Sequence, residues 1–144
     1  MIIKCIENTG KNLPVEIKNV KGYSENTTFE TITINKLYNV YGIGFYNNNF
    51  WFLICEDHYD DNYINYPIYM PSILFEIVDI RLSYFWTVRQ KKEDMQTILE
   101  FGMKEILYED GFYFRILEGA AKEVDFFKKY KEKIDKEIFY QQGY

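Results

Sequence analysis

The chain has 144 residues, 47% of them hydrophobic and 19% aromatic, and carries a formal net charge of −5. Such a length suits one domain with a packed core, and the apolar content excludes a disordered chain. The acidic balance has no basic block in it, which excludes a phosphate-binding arm and favours basic protein partners over nucleic acid.

The opening "MIIKCIENTG" and every later segment lack an uninterrupted apolar run of membrane-spanning length, so no membrane partner is expected and the chain reads as cytoplasmic. In "IIKCI" the residues alternate as in a short strand. Residues 7–27 are rich in Asn, Gly and Pro and read as a long irregular loop. "FETITINKLYNVYGIGFY" alternates again, with a turn or bulge expected at Asn35-Lys36. Asn47-Asn48-Asn49 signals a tight turn, because Asn tolerates positive φ, so "FWFLIC" should fold back on "YGIGFY". "INYPIYMPS", with prolines at 67 and 71, is extended and belongs at a sheet edge. "SILFEIVDIRLSYFWTV" gives two more strands that split near Asp79–Arg81, with Phe75, Phe85 and Trp86 facing the core.

Beyond Lys91 the pattern changes. Met95, Ile98, Leu99, Gly102 and Ile106 fall at helical spacing and predict an amphipathic helix ended by Asp110-Gly111. "FYFRIL" reads as a helical turn. From Ala120 onward, Val124, Phe127, Ile134 and Ile138 make one apolar stripe, while six lysines face six acids within residues 118–137. The expected class is α+β: a small, strongly bent antiparallel sheet or SH3-like β-barrel followed by two C-terminal helices. One domain over 1–144 is expected, barrel-like over 1–90 and helical over 91–144. Cys5 and Cys55 each lie in an apolar strand-like run and read as free buried thiols.

The segment "ICEDHYDDNY" (54–63) holds the sole histidine, His58. A zinc centre needs three or four nitrogen or sulfur ligands, and one His beside one Cys falls short. The acids also lack the alternating spacing and glycine of a calcium loop. Catalysis by His58 would need a nucleophile and an orienting group that no motif supplies. The remaining function is docking: Glu56, Asp57, Asp60 and Asp61 complement a basic cleft such as a nuclease substrate groove, with Tyr59, Tyr63, Tyr66 and Tyr69 as apolar anchors. A charge run is equally the ordinary surface of a solvated hairpin loop, and charge alone does not separate the two. Gly42-Ile43-Gly44 lacks the rest of a dinucleotide fingerprint, so its glycines are expected to bend a strand. No cofactor and no catalytic residue are assigned. Tyr66, Tyr69, Tyr84, Phe85 and Trp86 could instead line a peptide groove, which would make the chain an SH3-like peptide- or ligand-binding module.

Three stretches carry a resemblance: "KCI…NTGKNLP", "TITINKLYNVYGI" and "YPIYMPSILFEIVDIRLSYFW". Together, from Lys4 to about Val88, they resemble a family of small bacterial immunity proteins. "FYFRILEGAAKEVDFFKKYKEKIDKEIF" is similar to that family's helical end. Asn35 stands where the family pattern has Gly, and Met70 where it has Tyr. The resemblance implies a cytoplasmic, non-enzymatic inhibitor that neutralises a secreted or contact-delivered toxin, as in contact-dependent growth inhibition.

Overall fold

The computed structural model describes residues 1–18, 22–57 and 66–141, with side chains through Ile138. The chain runs β1 (Ile2–Cys5), α1 (Val15–Lys18), β2 (Leu37–Asn39), β3 (Gly42–Tyr46), β4 (Asn49–Cys55) and β5 (Pro67–Pro71). It continues through β6 (Phe75–Asp79), β7 (Thr87–Glu93) and β8 (Gln96–Gly102) to α2 (Lys104–Tyr108), α3 (Phe112–Leu117) and α4 (Ala121–Gln141). The fold is α+β, with two antiparallel sheets ordered β2-β1-β6 and β5-β4-β3-β8-β7. Among the described residues neither ladder closes into a barrel, so the bent-sheet form of the expectation holds.

The β3–β4 hairpin turns at Asn47 and Asn48, whose φ values are 48° and 57°. Two left-handed residues in succession match the right-handed twist of the flanking strands, as the Asn run implies. Asn35 is likewise left-handed, at φ 68°. Residues 29–36, however, form turns rather than a strand. The Lys36 N–H donates to Thr33 O, and Asn35 and Lys36 bond back to Cys5 at the end of β1.

The expected helix over 91–110 is instead a hairpin plus one short helix. β7 and β8 pair from Thr87↔Gly102 to Glu93↔Gln96, and Asp94 and Met95 turn the chain at φ 46° and 64°. Strand structure therefore extends past residue 90 to Gly102. Burial decides between the two periods: Ile98, Glu100 and Gly102 face inward while Thr97 and Leu99 face out, a period of two. Met95, an apolar match to the helical pattern, sits fully exposed at the tip.

The long loop after β1 contributes to the core rather than skirting it. Leu13, Ile17, Phe29 and Ile32 are buried with Ile3, Cys5, Val40 and Ile54. Its closest approach is at Gly10, where a Cβ would lie 1.8 Å from Ser24 O, so only glycine fits. A second cluster joins Tyr41, Leu53 and Met103 to Ile116, Phe127 and Ile134, which places α4 over the strands with the stripe the sequence indicates. Tyr69 and Trp86 pack against both clusters. Tyr130 donates its hydroxyl to Tyr41 O at 2.8 Å, and Asp135 accepts from Asn39 (2.9 Å) and Tyr41 (2.6 Å). Phe75 is buried as expected, but Phe85 is 40% exposed, stacked edge-on to Tyr84 and lying under Lys133. The Trp86 indole N–H is buried with no partner among the described residues. Among the described residues no helix is long and apolar enough to cross a membrane.

Candidate functional site

The acidic segment leaves the five-stranded sheet between β4 and β5. At its root the Glu56 N–H donates to Tyr66 O at 3.2 Å, which extends the β4–β5 ladder by one step. Asp57 then turns away, and its N–H donates to Thr31 O at 2.8 Å. Its carboxylate accepts from Thr33 Oγ1 (2.7 Å), from Tyr38 OH (2.9 Å) and from the Lys36 ammonium. Burial alone would raise this carboxyl, but the bonds from Lys36, Thr33 and Tyr38 outweigh it and hold Asp57 below its ordinary value. Burial, assisted by the Asp57 charge, pushes the Tyr38 hydroxyl up to about 12, against the opposing bond from Thr33.

Asp57 is therefore a latch between the loop root and residues 31–38. Its charge is met by Lys36 inside the chain, so it offers less to a partner than the sequence suggests. Of the other expected docking residues, Tyr59, Asp60, Asp61 and Tyr63 lie outside the described residues, as does His58. Tyr66 is partly buried, and its hydroxyl lies 3.8 Å from where a Cβ on Gly119 would stand, next to the α3–α4 turn. Tyr69 faces inward from β5 and meets Tyr113 edge-on at 5.3 Å, and burial pushes its hydroxyl well above the usual phenol range.

Tyr69 also forms part of a cavity that the sequence does not announce. A space of about 540 Å³ opens between the five-stranded sheet and the α2–α3 region, walled by Gly44, Trp51, Tyr69, Ile106, Tyr113 and Phe114. Gly44 keeps it open, since a Cβ there would stand 3.2 Å from the Tyr69 ring. Three charged side chains, Arg89, Lys91 and Glu100, border it. Arg89 and Glu100 are register partners on β7 and β8, joined at 2.6 Å, and Lys91 approaches Glu100 at 3.5 Å and Glu93 at 2.8 Å. Arg89 also donates to Leu107 O, tying α2 to the sheet. The volume falls in the range of small-ligand pockets, and the mainly apolar wall suits an apolar or aromatic group. Its walls come from positions 44 to 114 on both sheet and helices, and one of the strands involved, β8, lies in the stretch whose spacing predicts a helix.

Nucleophilic chemistry finds little support in the thiols. Burial pushes the Cys55 thiol up to about 12, only partly countered by Lys131, and burial also raises Cys5. A thiol held protonated is a poor nucleophile. Both cysteines are free. Among the described residues no three His, Cys, Asp or Glu side chains cluster as metal ligands. Gly42 serves close packing between strands rather than the expected bend, because a Cβ there would meet Phe101 O at 2.8 Å.

Compared with family models, curated proteins and solved structures, the chain matches none of them.

Proposed function

We propose that this chain is an immunity-type protein that binds one cognate bacterial toxin and neutralises it by covering its active site. The toxin is a basic protein, a nuclease by the logic of charge, and the encounter takes place in the cytoplasm. The observation that supports this most directly is the Asp57 latch. Four bonds fix the point where the acidic segment leaves the sheet, so ordering that stem costs little when a partner arrives. Glu56 stands at the same root, and Asp60 and Asp61 continue the acidic run in the sequence. Carboxylates there would meet the cations that normally hold substrate phosphates. The proposal contains no catalytic step.

The cavity beside Tyr69 favours a second reading, a module that binds a peptide or small ligand through an apolar group. Two perturbations separate them. Asp60→Asn combined with Asp61→Asn removes two charges at nearly constant shape. On the toxin reading it lowers the association rate and flattens its salt dependence, and a desolvated pair would cost about 2–5 kcal/mol. Gly44→Val fills the cavity, which abolishes ligand uptake on the second reading and leaves toxin neutralisation unchanged on the first. Stopped-flow association with the cognate toxin, at two salt concentrations, measures the first. Unchanged rates and salt slope in the double variant would remove the acidic segment from the interface.

A further inference from the structure

The cavity between the five-stranded sheet and the α2–α3 region contains two polar groups that the fold leaves unused. Glu100 is 9% exposed, and both of its bonds from Arg89 and its contact with Lys91 fall on one oxygen, Oε1. Among the described residues its other oxygen, Oε2, accepts no hydrogen bond. The hydroxyl of Tyr69, a partly buried wall of the same cavity, makes none either among the described residues. The two groups flank one spot. A Cβ on Gly44 would stand 3.2 Å from the Tyr69 ring, at the carbon next to the hydroxyl-bearing one, and 3.9 Å from Glu100 Oε2. Glycine at 44 leaves that spot empty.

An ionised carboxylate oxygen only accepts, whereas a phenol hydroxyl both donates and accepts. One ligand hydroxyl therefore satisfies both groups, donating to Glu100 Oε2 and accepting from Tyr69. Charge narrows the ligand further. Arg89 and Lys91 are balanced by Glu100 and by Glu93, which lies 2.8 Å from Lys91, so the polar wall is neutral as a whole. A ligand carboxylate would meet Glu100, and a ligand ammonium would meet Arg89 and Lys91, neither with a spare counter-charge. The remaining wall, including Trp51, Ile106 and Phe114, suits an apolar ring system.

We infer that this cavity binds an uncharged phenol, with its ring among Trp51, Ile106 and Phe114 and its hydroxyl bridging Tyr69 and Glu100. The inference goes beyond toxin binding and rests on the ligand-binding reading of the same cavity. A ring of the same shape without the hydroxyl would strip water from a carboxylate oxygen and return no bond, which is how a site of this kind discriminates.

Calorimetric titration of the full chain at pH 7 compares 5-indanol with indane, the same ring system lacking the hydroxyl. The 5-indanol should bind with a dissociation constant of about 10–500 µM, at least ~10-fold tighter than indane. Indane-5-carboxylate and 2-aminoindane, both charged at that pH, should bind more weakly than 5-indanol by a similar factor. Tyr69→Phe removes no bond within the protein; it should weaken 5-indanol at least ~5-fold and leave indane unchanged. Gly44→Val should abolish binding of both. Equal affinity for 5-indanol and indane, or an affinity indifferent to Tyr69→Phe in a protein of unchanged circular dichroism, overturns the phenol assignment while the cavity stands as an apolar site. Tighter binding of either charged analogue overturns it in the same way. Binding of 5-indanol that survives Gly44→Val lies elsewhere and also overturns it. No binding of any of the four probes overturns the inference and the ligand-binding reading together.

Discussion

Removing the latch with Asp57→Ala should destabilise the protein by about 2–4 kcal/mol. Thr33 Oγ1 and Tyr38 OH each donate to the ionised carboxylate, and such bonds contribute ~1.5–3 kcal/mol apiece. The Lys36 side chain is 50% exposed, so solvent screening limits its ion pair to at most about 1 kcal/mol. Water entering beside the 20% exposed aspartate recovers part of the loss, which brings the sum down to the stated range. Asp57→Asn keeps one acceptor but turns an amide toward Lys36, and should fall between the variant and wild type. Urea unfolding at pH 7, read by intrinsic fluorescence, measures all three. The pH dependence adds an independent check. Because the folded Asp57 carboxyl is depressed, its stabilisation is complete above the ordinary value of 3.8 and disappears as pH falls through the lower folded value. The gap between wild type and Asp57→Ala should therefore narrow below about pH 4. A gap under about 0.5 kcal/mol at pH 7 would refute the latch.

Met95→Gly should stabilise the protein by about 0.4–1 kcal/mol, since glycine suits the left-handed second position of a two-residue turn; a loss of that size in urea unfolding would restore a helix there. Phe75→Ala should cost about 3–5 kcal/mol, given its burial and its edge contacts with Tyr38 and Phe52, and a melting temperature within a degree or so of wild type would contradict that placement. His58→Ala should leave toxin protection within a few-fold of wild type in a co-expression assay, whereas loss of protection with binding intact would revive a catalytic role.

Features encoded by neighbouring residues were legible in the sequence. Asn47-Asn48 announces its turn because Asn pays little for positive φ, and the α4 stripe repeats long enough to exclude a strand. The 91–102 region misled because apolar residues at 95, 98, 99 and 102 satisfy the helical period, while its turn uses Asp-Met, which carries no turn signal. Side chains that act across the fold were hidden. The Asp57 carboxylate looked like a docking charge because its partners lie 19 to 24 residues earlier in the chain. The cavity was hidden for the same reason, since a gap between layers leaves no periodic mark.

The placement of α4 bears on how the protein is made. Tyr41 and Leu53 lie under a helix that follows in the chain everything it covers. The 89 residues between Tyr41 and Tyr130 take roughly 5–20 s to synthesise at typical translation rates. Until the end of that interval the strands expose an apolar face that only Met103, Phe112 and Ile116 begin to cover. The second core cluster is therefore completed only when Phe127 and Ile134 close over the sheet, late in synthesis.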